Sequence, residues 1–237
     1  MLVKTKAFVL SALKYQEKSL IVKCFTYSDG LKSYFVPNAY SGKKSNQKIA
    51  YFQPLTLLEI EAVHKNKGTL EHFREIKLAA AYQTIPMDIV KSTIVIFLSE
   101  ILHHSIREEA KNTSLFDLIE SALLWLDAHD EIANFHLILL LEVTKYLGFY
   151  PESSLSTDPF FELTEGIFVP IQGVTCLNEY ETMLWRKLME QKIENPGKVF
   201  TSPERAILLK ILMDFYTIHL EGFKKPKSLE VLREVFA

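Results

Sequence analysis

The sequence predicts a two-domain α+β protein: a small β-barrel over residues 1–80, then an all-α helical domain over 81–237 with a short irregular or β-hairpin insertion. Three observations predict it. The spacing of apolar residues changes from strand-like to helix-like near Ile85. Turn-forming clusters punctuate the chain before that point, and helix caps recur after it. Charge divides at the same place. Lys and Arg outnumber Asp and Glu by 13 to 6 in residues 1–80 and are outnumbered 14 to 23 thereafter, which together give the net charge of -2. A basic amino-terminal third beside an acidic remainder suggests two domains with different partners.

Five short runs rich in Val, Phe, Tyr, Leu and Thr read as strands: Lys4–Lys14, Leu20–Tyr27, Leu31–Val36, Pro54–Val63 and Thr69–Lys77. Turn residues separate them, in "YQEKS", "SDG", "PNAYSGKKSNQKIAYFQ" and "HKNKG". Leu31, Ser33 and Phe35 share one face of the third strand, and Lys32, Tyr34 and Val36 the other; Lys4 and Lys6 share a face of the first. Five strands with a longer connection after the third fit an OB fold. An SH3-like barrel fits too, and periodicity does not separate them.

Helices follow. The first opens at Thr84 or Pro86, with Asp88 in its first turn, and runs to about Ile106. Ser114 and Asp117 resemble a capping box for Leu115–Ala128. A third, about Glu131–Leu147, stops at Gly148 with Pro151 beyond, and its apolar faces mark it as the buried centre of a bundle. In the irregular stretch 148–177, "FFELTEGIFVPI" predicts a hairpin about Glu165-Gly166. Helices resume over Asn178–Lys192, over Pro203–Leu220 with Ser202 as N-cap and Gly222 as the stop, and over Leu229–Phe236 after Ser228.

Composition excludes several classes. With 48% hydrophobic and 24% charged residues, no long stretch is expected to be disordered. Cys24 and Cys176 form no disulfide framework, which suits a reducing compartment. The opening "MLVKTKAFVLSALKYQ" mimics a signal peptide but reads as a strand. Ile94–Leu102 and Ile132–Val143 are shorter than the roughly 20 residues that cross a bilayer. A cytoplasmic protein is expected. No glycine-rich phosphate loop, GxSxG or HExxH is present, and adjacent His103 and His104 cannot chelate as an i,i+4 pair could. The expectation is a non-enzyme with no cofactor and no metal.

The positive signal lies in the barrel. Nine lysines fall in residues 1–50 against Glu17 and Asp29 alone, interleaved with Tyr15, Tyr27, Tyr34, Phe35 and Tyr40. Single strands are held by cations that neutralise phosphates and by aromatic faces on which bases stack. Candidate DNA-binding residues are Lys4, Lys6, Lys32, Tyr34, Tyr40, Lys43, Lys44 and Lys48, with Gly42-Lys43-Lys44-Ser45 as a backbone-phosphate clamp on the barrel rim. The plain alternative is a solvated face of lysines without a partner. A second cationic spot, Lys224, Lys225 and Lys227 about Pro226, suits an acidic peptide tail or DNA, and equally a solvated interhelical loop.

With those residues in view, the chain resembles the RecO family of bacterial recombination mediators. The resemblance is carried by Glu17-Lys18-Ser19, Thr26 and Gly30 in the first strands, by "QPLTLLEIE" from Gln53 to Glu61, by Lys44-Ser45, and by His219 with "FKKPKSLEVLREVF". It implies an amino-terminal OB fold and a helical second domain. It also implies binding of single- and double-stranded DNA, annealing of complementary strands and, with RecR, displacement of single-strand-binding protein so that RecA loads. No nucleotide would be hydrolysed. The acidic tail of single-strand-binding protein would dock on the helical domain, with Lys224, Lys225 and Lys227 as charge-based candidates. Two departures stand out. Many members carry a four-cysteine zinc finger where this chain keeps only Cys176, so no zinc is expected, and the basic loop is poorer in arginine than in many members. Two other readings stay open: an adapter acting through its helical domain with little DNA affinity, and a metal-dependent nuclease using acids such as Asp127.

Overall fold

Strand β1 (Leu2–Tyr15) is the member on which the amino-terminal unit is built. It pairs antiparallel with β2 (Ser19–Thr26) through its second half and with β4 (Leu57–Val63) through its first. A bulge between Val9 and Ser11 lets one strand serve both partners, because the inserted residue bends the strand and increases its twist. The carbonyl of Leu10, inside the bulge, accepts a hydrogen bond from the buried Ser99 hydroxyl at 2.7 Å. With β3 (Gly30–Val36) and β5 (His72–Leu78) the order is β3-β2-β1-β4-β5. The result is the five-stranded antiparallel, OB-like sheet that the strand pattern predicts, curled but not closed by a continuous ladder.

The computed structural model describes residues 1–41, 49–65, 69–107, 110–152, 157–194 and 199–236. The chain divides into two compact units, Met1–Glu120 and Ser121–Ala237. In the first unit the inward faces of the strands contribute Val9, Val22, Cys24, Ile60 and Ala62 to one apolar core, closed by Phe52 and Phe73. Tyr34 belongs to this core. It is 0% exposed, its ring stacks on Phe73 at 4.1 Å, and its hydroxyl lies 2.7 Å from His64 Nε2. The other ring nitrogen of His64 is 3.2 Å from the Asp29 carboxylate. A phenol satisfied inside the barrel cannot serve as a stacking platform for bases, so that expectation is corrected. Burial above all, then the charges of Cys24, Asp29 and Glu71, pushes its ionisation far up. Lys32 shares the inward parity and is only 6% exposed, so it is not the surface lysine expected.

Helix boundaries move where side chains cap differently. Asp88 is the N-cap of α1 (Ile89–Ser105) rather than a first-turn acid, accepting from the backbone N–H of Val90 and Lys91. Asn112 accepts from Leu115 N–H at 3.0 Å before α2 (Thr113–Ala128), where Ser114 is the cap expected from the sequence. The front of α2 sets Phe116 against Phe8, Phe25 and Tyr27.

In the second unit, α3 (Phe135–Leu147) is buried along nearly its whole length and ends at Gly148 in the left-handed region, as its sequence predicts. It starts four residues later than the pattern suggests, because residues 130–134 are spent in turns ahead of it. The hairpin is present as β6 (Phe160–Glu162) and β7 (Ile167–Val169), with Gly166 at φ +70 in the turn. Helices α4 (Glu179–Met189), α5 (Ser202–His219) and α6 (Leu229–Val235) complete the unit. Thr201, not Ser202, caps α5, in a capping box with Glu204, and Leu220 rather than Gly222 ends it. The Tyr216 hydroxyl donates to Leu140 O at 2.8 Å, tying α5 to α3.

His136 is 1% exposed in α3, beside the Phe236 ring. Burial, and secondarily the charge of Arg205, pushes its imidazole down from 6.5 to about 3. Between those values the unfolded chain binds a proton that the folded chain excludes. Stability therefore falls as pH drops below 6.5, by up to about 1.4 kcal/mol per pH unit. Thermal melts from pH 7 to 4 are expected to show this loss, and His136→Leu to flatten it. An unchanged slope in the variant would place the acid sensitivity elsewhere.

Candidate nucleic-acid interface

β3 and β5 are the two outer strands of the sheet, and the barrel's curl brings them face to face along a seam. One isolated parallel bridge crosses it, Tyr34 with Glu71. Phe35 N–H donates to Glu71 O at 2.9 Å and Glu71 N–H to Ser33 O at 2.8 Å. Because the pairing is parallel, lower-numbered residues of both segments lie on one side of the bridge and higher-numbered ones on the other. A cavity opens on each side.

The first, about 320 Å³, is polar and lined by Lys23, Lys32, Ser33, Thr69, Glu71 and Arg107, with Leu31 and Leu70. Its cations come from three elements. Lys23 stands on β2 opposite Ser33, Lys32 on β3, and Arg107 just past the end of α1. Lys32 and Glu71 are nearly fully buried, so Lys23 and Arg107 are the cations that the site offers to solvent. Both oxygens of Glu71 accept from the Lys65 backbone N–H at 2.9 Å, which fixes this carboxylate within its own loop. The positive field reaches the helix as well. The His103 imidazole, in the last turn of α1, is pushed down to about 4, by burial first and then by Lys23 and His104. A cluster of cations with hydroxyl donors in a concave site suits phosphate oxygens.

The sequence-derived candidates distribute differently. Lys4 and Lys6 lie on the half of β1 that pairs with β4, across from the acids of that strand. Lys4 pairs with Glu59 at 3.3 Å and Lys6 with Glu120 at 2.6 Å, so neither joins the seam, and each faces a carboxylate. Tyr40 is exposed, and Lys14 Nζ sits 5.6 Å from its ring centre. Its N–H donates to Lys18 O, which places it at the β1–β2 turn as a second basic-aromatic spot. Lys43, Lys44 and Lys48, and with them the clamp, lie outside the described residues. In the other unit Lys224, Lys225 and Lys227 are exposed, and Lys225 pairs with Asp214 at 2.8 Å. Lys23 and Arg107 were missed as site residues. Lys23 stood among the nine lysines, and its parity on β2 was the available signal; Arg107 is brought in only by the packing of α1.

The residues of the hairpin region do not fit a zinc ion. Cys176 Sγ accepts from Gly173 N–H, and Cys24 is buried in the barrel core. Among the described residues no three His, Cys, Asp or Glu gather as a metal-binding group, and no helix is long and apolar enough to cross a membrane. Phe161 fills the position beneath the hairpin, packed on Phe168, Trp185 and Phe215.

Two family models cover nearly the whole chain: "Recombination protein O N terminal" matches residues 1–82 and "Recombination protein O C terminal" residues 86–230. The chain is 66% identical to the DNA repair protein RecO of Flavobacterium psychrophilum and 64% identical to that of Flavobacterium johnsoniae, over the full length of each. It is 36% identical, again end to end, to the RecO of Phocaeicola vulgatus. An OB-like barrel with a cationic seam, a helical second unit and these full-length likenesses lead to one conclusion: the chain belongs to the RecO family of DNA repair proteins.

Proposed function

We propose that this protein is a recombination mediator that binds single- and double-stranded DNA through its barrel and anneals complementary strands. With RecR it would help remove single-strand-binding protein so that RecA loads. It does this by binding alone, without hydrolysing nucleotide and without a cofactor, in the cytoplasm beside the nucleoid. The observation that supports this best is the meeting of Lys23 and Arg107, from separate elements, in one concave site of an OB-like barrel. Cations converging from β2 and the end of α1 can follow a phosphate backbone without reading sequence. The exposed Lys224 and Lys227 supply charge for an acidic protein tail, whereas Lys225 is already held by Asp214.

The test is a titration of purified protein into a fluorescent single-stranded oligonucleotide at two salt concentrations, without nucleotide or metal. Affinity is expected to fall steeply with salt, with a logarithmic slope of about 0.7 for each phosphate engaged. No binding at low salt would sink the DNA reading and leave an adapter that works through its helical unit.

A further inference from the structure

We propose that the second cavity of the seam, beyond the Tyr34–Glu71 bridge, takes one unstacked nucleobase of a single strand; this rests on the DNA-binding reading above. The cavity measures about 370 Å³, and Phe35, Tyr51, Phe52, His72, Phe73 and Arg74 line it together with Val36, Pro37 and Ile76. That size falls in the range of small-molecule sites, roughly 300–1,000 Å³.

Its shape follows from the bridge. Among the described residues Tyr34–Glu71 is the one bridge that joins β3 to the segment leading into β5, and the cavity lies between the two strand edges beyond it. Rings fill the cavity's floor. Phe73 stacks on the buried Tyr34 at 4.1 Å with 16° between planes, and on Phe52 at 5.9 Å with 24°. These near-parallel rings form a fixed slab. Phe35 and His72, from the two opposing strands, meet edge to face at 6.0 Å. Tyr15, 42% exposed, continues the wall against Phe35 at 6.1 Å. A flat aromatic guest gains stacking here at little entropic cost, because the rings already hold one another.

Charge selects what kind of guest. Arg74 is exposed on the rim and makes no hydrogen bond or ion pair among the described residues. The cationic cavity lies along the same two strands: from Leu31 to Phe35 is four residues of β3, about 13 Å. An aromatic slot beside one cation and in line with Lys23 and Arg107 suits a base still attached to its phosphates. A duplex keeps its bases paired and stacked, so the slot favours single strands, and stacking on a π-face tolerates any base. The rings that carry this, Phe35, His72 and Phe73, are distinct from Tyr34 and Tyr40.

The experiment compares the full-length protein's affinity for an ordinary single-stranded oligonucleotide and for one of equal length and charge made of abasic sugar-phosphate units. The ordinary strand is expected to bind about tenfold tighter. Phe35→Leu combined with His72→Ala keeps an apolar side chain at position 35 but removes two of the three rings, and is expected to lose most of the preference for the ordinary strand. Equal binding of the two strands by the wild-type protein would overturn the base pocket and leave phosphate binding standing. So would a double variant that keeps the full preference. Failure of the wild-type protein to bind either strand would remove the DNA-binding reading and the pocket with it.

Discussion

Replacing Lys23 and Arg107 together by glutamate is expected to weaken single-stranded DNA binding by about a hundredfold at low salt, if each supplies one phosphate contact of about 1.4 kcal/mol. The salt slope should fall by about 1.4 at the same time, because two fewer counterions are released. The comparison variant is Lys4→Glu with Lys6→Glu. It makes the same change of charge, at lysines of β1 that pair with Glu59 and Glu120 and do not line the seam cavity. Net charge alone would make the two double variants equal; a localised seam makes the first much worse. Fluorescence anisotropy at several salt concentrations reads both quantities. An equal or larger loss from the Lys4 and Lys6 pair would place the interface elsewhere.

The largest stability effect is expected at Gly30. It follows the Tyr27-Ser28-Asp29 turn with φ +67, and Thr26 Oγ1 donates to its carbonyl at 2.8 Å. A Cβ at this position would lie 2.3 Å from the carbonyl oxygen of Ala110, a backbone atom that no side-chain rotation can move aside. Gly30→Ala combines the left-handed penalty of about 1–2 kcal/mol with an overpacking cost of about 1–3 kcal/mol. A loss near 3 kcal/mol, or roughly 10 °C in melting temperature, should follow. Gly148→Ala separates the two causes. Gly148 also has positive φ, +87, yet a Cβ added there would meet nothing within 4 Å, so only the first penalty applies. Equal losses at the two sites would mean that the approach of Ala110 relaxes without cost.

The fold was largely legible because its signals are local. Alternation of apolar residues marked the strands, turn residues separated them, and Gly148 and Gly166 stood where the chain needs positive φ. Caps were less legible. Asp88, Asn112 and Thr201 each had a rival within a few residues of similar capping chemistry, and backbone geometry chose between them.

Element types, their order and the basic character of the first unit can therefore be read from the order of amino acids alone. On β3 it also separated Lys32, Tyr34 and Val36 from Leu31, Ser33 and Phe35, but not which set points inward. That was decided by tertiary structure. The inward place of Tyr34 depends on Phe73 and His64, which lie 39 and 30 residues away and offer its ring a stack and its hydroxyl a partner. The seam depends on the curl of β1 at its bulge, which brings the first and last strands of the sheet together. Arg107 reaches it only because α1 packs against the barrel, its Ser99 hydroxyl bonded to the bulge. A lysine's charge can be read from one letter. Whether it meets a carboxylate, as Lys6 does, or other cations in a groove, as Lys23 does, is a property of strands and helices far apart in the chain.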